Sequence, residues 1–301
     1  MSAAEVLSLP PSPSIDEAYA FCRKIAHQYG ANFSVGFRFL PRKKRRAVYA
    51  AYAFCRWADD IADENGVAAG FSRPGGLKPA ATLQSLDNWQ HELDRCYAGA
   101  PSHPITIALA DALRLFAIPR AAFVALIDGC RQDMIKTRYE NFGELLKYCE
   151  LVAWSISDIS LAIFGYRSER AIEHGRNLAS ALQLTNVTRD IGDDLTRDRI
   201  YIPRDEMCRF GVTELAASDA MRNLIEFQID RAESYFRAAE PLINELSFDA
   251  RLPVLLMGGV YATVLQHLRR DPLIVLRERL SLTPLEKTAV VVARLLHPRF
   301  V

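Results

Sequence analysis

The 301-residue sequence has no excess of either charge: 37 Lys and Arg against 36 Asp and Glu leave a formal net charge of +1. That balance removes any global electrostatic attraction to nucleic acid, and no nucleic-acid partner is expected. Cysteine is sparse and dispersed. Cys22, Cys55, Cys96, Cys130, Cys149 and Cys208 contain no C-x-x-C pair, which argues against a zinc site or a disulfide framework and for packed, reduced thiols of a cytoplasmic protein. The first fourteen residues lack a basic stretch followed by an apolar core, so no signal peptide is expected. The longest uncharged run, 252–268, contains Gln266, His267 and two glycines, and falls short of the ~20 apolar residues that span a bilayer. No G-x-G-x-x-G dinucleotide signature is present.

Strand and hairpin signals are missing as well. No proline occurs between Pro119 and Pro203, and apolar residues in that stretch recur at helical spacing, as with Leu178, Leu182 and Leu184 around polar Asn186, Asp190 and Asp194. The chain therefore reads as all-α. Helices are expected near 14–29, 42–64, 82–98, 103–117, 119–135, 140–165, 168–194, 215–246, 250–270 and 283–296. Ser14 with Glu17 forms a capping box for the first. The Gly- and Pro-rich stretch 65–79 reads as a mobile loop, and the whole as a loose tail, 1–13, followed by one domain, 14–301.

Two acidic clusters lie on these helices. Asp59 and Asp63 are four residues apart, which puts both carboxylates on one face about 6 Å apart along the axis. Like charges so placed repel, and a cation between them reverses the sign. Gln183, Asn186, Asp190 and Asp194, spaced three, four and four, form one continuous stripe of oxygen-bearing side chains. Hard oxygen ligands without a neighbouring Cys or His suit Mg2+, which is held by a few carboxylates together with water and substrate phosphates. Arg56 and Arg189 sit beside the clusters, so a diphosphate bridged by metal and gripped by guanidinium groups fits the pattern. Solvated helix surface is the simpler reading of a single D-x-x-x-D, but it explains two clusters within apolar helices poorly.

These residues resemble the squalene/phytoene synthase family over nearly the whole chain. The matching blocks are Phe33 to Pro41, Tyr52 to Arg56 running into Asp59-Asp60-Ile61-Ala62-Asp63, Leu126 to Gly129, Tyr148-Cys149, Gln183 to Asp194, and Arg199-Ile200-Tyr201-Ile202-Pro203. The resemblance implies a single-domain isoprenoid synthase helical bundle with a central cavity faced by both acidic helices. It implies head-to-head condensation of two allylic prenyl diphosphates, C20 or C15, through a cyclopropylcarbinyl diphosphate to a phytoene- or squalene-type product. Asp59, Asp63, Asn186, Asp190 and Asp194 would hold several Mg2+ ions, with Arg56 and Arg189 completing the catalytic set. Tyr52, Gln183, Tyr261 and Arg279 would contact diphosphate. Asn32, Phe33, Phe37, Tyr148 and Ala153 would contact substrate, with Leu146, Val152, Ile156 and Leu182 in the apolar wall. NADPH would enter only for a squalene product.

Two segments depart from the family pattern. Tyr29-Gly30-Ala31-Asn32 replaces a Ser-rich stretch, so Asn32 and main-chain N–H groups would substitute for lost hydroxyls. Val152-Ala153-Trp154-Ser155-Ile156-Ser157 replaces Val-Ala-Gly-Thr-Val-Gly, so Trp154 either turns toward a neighbouring helix or narrows the cavity. The basic run Arg42 to Arg46 reads as the solvated start of a helix. Its other reading is peripheral contact with an anionic membrane face, near the point of product release.

Two competing functions have their own discriminators. A head-to-tail elongase or terpene cyclase shares the D-D-x-x-D motif, but Arg189-Asp190 stands where a cyclase has a Ser-centred triad, and a second D-D-x-x-D is absent. A catalytically silent scaffold protein of the same family would be expected to have lost acidic ligands that are all present here.

Overall fold

The computed structural model describes residues 13–29, 34–62 and 79–300. Asn32, Phe33, Asp63, most of the 65–79 loop and nearly all of the 1–13 tail lie outside the described residues. The protein is 76% helical, and no strand occurs among the described residues. The described chain divides into two compact units: residues up to Ile135 with Asp158–Phe164, and Lys136–Ser157 with Gly165–Val301.

In the first unit, α1 (Ile15–Tyr29), α2 (Arg42–Ala62), α3 (Pro79–Tyr97), α4 (Pro104–Leu113) and α5 (Arg120–Asp133) pack together. The expected capping box starts α1: the Glu17 carboxylate accepts from the Ser14 main-chain N–H at 2.8 Å, and the Glu17 N–H donates to Ser14 Oγ at 3.3 Å. The central helix is α2, in contact with the other four. Its buried face is mostly small, with Ala47, Ala50, Ala51, Ala53, Ala58 and Ala62, which lets neighbouring helices approach closely. Phe54 fills the remaining space, stacked on Trp89 at 4.8 Å and edge-on to Phe123 at 4.9 Å.

The basic run does start α2, with Arg42 and Lys43 exposed as the sequence led one to expect, but its last three cations are engaged. Lys44 donates to the Phe164 carbonyl at 2.7 Å, Arg45 to the Arg38 carbonyl at 3.0 Å, and Arg46 pairs with Asp16 at 2.8 Å while lying over the Tyr19 ring. These cations fasten chain segments, because carbonyl groups at helix and turn ends need donors.

In the second unit, α6 (Phe142–Cys149) runs into a π-helical turn, Glu150–Trp154, and then α7 (Ser155–Phe164), the later part of which belongs to the first unit. The helix expected over 140–165 thus runs from Phe142 to Phe164 with one wide turn inside it. Next come α8 (Arg170–Arg189), α9 (Ile191–Thr196), α10 (Arg204–Arg209), α11 (Asp219–Ala239), α12 (Phe248–Arg270), a 3-10 turn at Pro272–Leu276, and α13 (Pro284–Leu296). The core of this unit is α8, which packs on α11, the π turn and α12. Its buried Thr185 and Thr188 hydroxyls donate to the carbonyls of Ala181 and Leu184, four residues earlier, so burying them leaves no polar group unpaired.

By length and composition α12 could cross a membrane, yet 67% of its most apolar window is buried inside the protein, as in a core helix. Five cysteines are buried, Cys208 is exposed, and all six are free thiols, as the dispersed spacing predicted.

Candidate active site

On the first unit, α2 brings Tyr52, Arg56 and Asp59, spaced four and three, onto successive turns. Arg56 is three-quarters buried. It pairs with Asp60 one turn on, and its guanidinium lies 4.9 Å from the centre of the Tyr29 ring. Burial works against its charge, but Asp60 outweighs that and its pKa is raised. Its Nε–H is buried with no hydrogen-bond partner among the described residues. A guanidinium N–H held in that state is suited to an anionic oxygen arriving as ligand.

Asp59 is exposed at the surface of α2 and accepts a hydrogen bond from the Cys130 thiol of α5 at 3.4 Å. Burial first, and then the Asp59 charge, push the Cys130 thiol well above its usual range, so it is a neutral donor. Phe37 is 8% exposed and packs edge-on against Tyr49 of α2 at 6.3 Å.

On the second unit the stripe keeps its register, although the helix does not run through it. Helix α8 ends at Arg189, and Asp190 adopts φ −97° and ψ 11° before α9 begins. The Asp190 N–H still donates to Asn186 O, and the Asp194 N–H to Asp190 O, both at 2.8 Å. The continuous helix expected over 168–194 is therefore two helices joined at the acidic residue.

Asp190 is gripped by two arginines. Arg189 Nε donates to Oδ1 at 2.7 Å and its Nη2 to Oδ2 at 2.5 Å, while Arg279, from the segment before α13, donates to the same two oxygens at 2.9 and 3.4 Å. Burial raises the Asp190 pKa, but the two guanidinium groups outweigh it and hold the carboxyl below its ordinary value. Tyr261, wholly buried on α12, is hydrogen-bonded to Asn186 and Arg189, and burial raises its pKa. Asn186 Oδ1 is left buried and without a partner among the described residues. An orphaned amide oxygen beside a carboxylate is the kind of group a hard cation would satisfy. Gln183 and Asp194 are half-buried on the same stripe.

Among the described residues, no group of three Cys, His, Asp or Glu side chains could by itself hold a metal ion. The donor set nonetheless fits Mg2+, which binds through one or two carboxylates and takes its remaining ligands from water and phosphate.

Several features escaped the sequence reading. Tyr148 joins Tyr139 and Tyr201 in a ring cluster with centroids 5.3 to 5.7 Å apart. The loop carrying Tyr201 is tied down by Ile200 N–H donating to Thr137 O at 2.9 Å and by the Arg138–Asp198 ion pair. Gly192 has a steric reason to be glycine: a Cβ there would sit 2.5 Å from the Val275 carbonyl oxygen. Trp154 turns toward the neighbouring helix, the first of the two expected outcomes. Its indole N–H donates to Ser180 Oγ of α8 at 2.9 Å, and the Arg176 guanidinium lies 5.2 Å from its ring. Ala153 is buried in the π turn, Leu182 is buried on α8, and Leu146, Val152 and Ile156 are half-buried.

A strand-free helical architecture among the described residues, with an acidic stripe whose Asp190 is clasped by Arg189 and Arg279, has the features of a helical isoprenoid synthase. Residues 26–286 match the family model for squalene/phytoene synthase. The chain belongs to the squalene/phytoene synthase family and is a prenyltransferase. It is 36% identical over 289 residues to the phytoene synthase of Mycobacterium tuberculosis, covering 93% of this chain and 91% of that one. To the phytoene synthase of Arthrospira platensis it is 33% identical over 298 residues, covering 91% and 93%. Among solved structures, a dehydrosqualene synthase matches with TM-score 0.81 at 26% identity, covering 93% and 95% of the two chains. A squalene synthase from Alicyclobacillus acidocaldarius matches with TM-score 0.75 at 29% identity, covering 85% and 95%.

Proposed function

We propose that this protein condenses two C20 allylic diphosphates head to head into a C40 phytoene-type hydrocarbon, as an early step of carotenoid synthesis. Membership of the family supports the coupling chemistry. The C20 substrate is supported by near-full-length identity of 33% and 36% to phytoene synthases, against 26% and 29% to the dehydrosqualene and squalene synthases.

Two orphaned groups, one on each acidic helix, carry the chemistry. Among the described residues, Arg56 has a buried N–H without an acceptor and Asn186 a buried oxygen without a donor. Asp59 and Asp63 of one acidic cluster, and Asn186, Asp190 and Asp194 of the other, are the proposed Mg2+ ligands. When bound, Mg2+ neutralises the diphosphate charge that grows as the carbon–oxygen bond breaks. Arg56, Arg189 and Arg279 donate to the diphosphate oxygens and stabilise the same developing charge. Gln183, Tyr52 and Tyr261 add donors that orient the leaving group, and Asn32 adds another from the segment preceding Phe33.

Loss of diphosphate leaves an allylic cation, which the double bond of the second substrate attacks to form a cyclopropylcarbinyl diphosphate. A second ionisation, rearrangement and proton loss then give the product without a reductant. Water must be kept from both cations. Phe33, Phe37, Tyr148, Ala153 and the apolar side chains of the π turn and α8 are the proposed wall. Prenyl diphosphates are the partners this reading requires.

The test is thermal stabilisation of the purified protein by a non-hydrolysable C20 thiodiphosphate with and without Mg2+. Stabilisation that needs both, and that Asp59→Asn and Asp190→Asn each remove along with turnover, is expected. No shift with ligand and metal together would favour a silent scaffold protein.

A further inference from the structure

We infer that Cys130 is a positioning residue that sets the orientation of Asp59 for cation binding, an inference that rests on reading Asp59 as a metal ligand. Asp59 lies on the last full turn of α2 with its side chain exposed, where a carboxylate ordinarily rotates among several conformers. Cys130 stands on α5, which packs against α2, and is only 3% exposed. Its thiol donates to Asp59 Oδ1 at 3.4 Å across a sequence separation of 71 residues. A buried donor thus meets an exposed acceptor.

Fixing the carboxylate before the cation arrives removes part of the ordering cost that metal binding would otherwise bear. A thiol suits this task because S–H is a weak donor. It biases the conformation without competing strongly with a divalent cation for the oxygen. A side chain chosen only for packing would need no such contact. The buried Cys96 thiol, for comparison, donates to the Thr106 main-chain carbonyl at 3.3 Å and touches no proposed ligand.

The experiment titrates Mg2+ against full-length protein saturated with the C20 thiodiphosphate and reads the Mg2+ concentration at half-maximal thermal stabilisation. Removing an outer partner of a metal ligand weakens metal binding by about 10-fold or more, and a weak thiol donor belongs at or below the low end, about fivefold. Cys130→Ala and Cys130→Val should each raise the midpoint by about that factor, and Cys130→Ser, which keeps a donor, should bring it back toward wild type. Alanine and valine differ in volume, so either one reports if the other packs too poorly to fold. Midpoints of the alanine and valine variants equal to wild type, with Asp59→Asn abolishing the Mg2+ effect, would refute the role of Cys130 alone. A serine variant as impaired as alanine would refute it too. A wild-type midpoint retained by Asp59→Asn would instead overturn the metal assignment beneath it.

Discussion

Asp190 and Arg279 form an ion pair in which the two partners should matter very differently to stability. The Asp190 side chain is 18% exposed and Arg189 beside it only 6%, whereas Arg279 is 57% exposed. Asp190→Asn leaves the Arg189 guanidinium buried without a counter-charge. Breaking a buried pair from one side costs about 3–5 kcal/mol, and the asparagine oxygen, which still accepts one hydrogen bond, puts the cost near the lower figure. Arg279→Ala removes a solvent-screened cation from an Asp190 that keeps its bidentate Arg189 partner, at a cost below about 1 kcal/mol. At about 2.1 cal/mol/K of unfolding entropy per residue, a chain of 301 residues shifts its midpoint by about 1.6 °C per kcal/mol. Thermal unfolding without metal or substrate should then show Asp190→Asn lowered by about 5 °C and Arg279→Ala by no more than about 2 °C. Equal losses, or an asparagine variant as stable as wild type, would refute the view that Arg189 depends on Asp190 for its buried charge.

Other expectations follow from the same contacts. The Asp190 carboxyl is held below its ordinary value near 3.8, so its contribution to stability is full above that pH and is lost as pH falls through the folded value. Acid unfolding of Asp190→Asn should therefore lack that component below about pH 4, and parallel acid limbs for both proteins would contradict it. Gly192→Ala would drive a Cβ to within 2.5 Å of the Val275 carbonyl. A stability loss of about 1–3 kcal/mol in denaturant titration is expected, and an unchanged midpoint would show that the Pro272–Leu276 turn yields freely. Trp154→Phe keeps a ring but loses the donor to Ser180, which should cost about 1 kcal/mol. A fully stable variant would mean that the indole N–H does not tie the π turn to α8.

The helical architecture was legible because helix spacing, caps and a long proline-free stretch all pointed the same way. Ser14 and Glu17 cap the first helix as their spacing required, and the apolar 252–268 run lies within a mostly buried helix. The acidic stripe was legible because i, i+4 spacing survives the break at Asp190, where two main-chain hydrogen bonds carry the register across. The break itself had no clear signature: Asp190 is neither glycine nor proline, and its φ and ψ are set by tertiary contacts. The π turn at Glu150–Trp154 was hidden for a similar reason, since its wide turn is braced by a Trp154 contact reaching α8. Contacts between residues far apart in sequence were beyond pattern reading altogether. The Arg279–Asp190 pair spans 89 residues and the Cys130–Asp59 bond 71. The basic run was misleading only in its later part, because composition reports charge but not whether a main-chain carbonyl waits nearby, as Phe164 O does for Lys44.

Product identification after incubation of the purified protein with C20 or C15 allylic diphosphate, in Mg2+ and with no reductant, tests the head-to-head assignment most directly. A C40 hydrocarbon from the C20 substrate, formed with release of both diphosphates and lost on chelation of Mg2+, is the predicted result. Diphosphate release without any C40 or C30 product would contradict head-to-head coupling, and a C30 product with none from C20 would contradict the chain length.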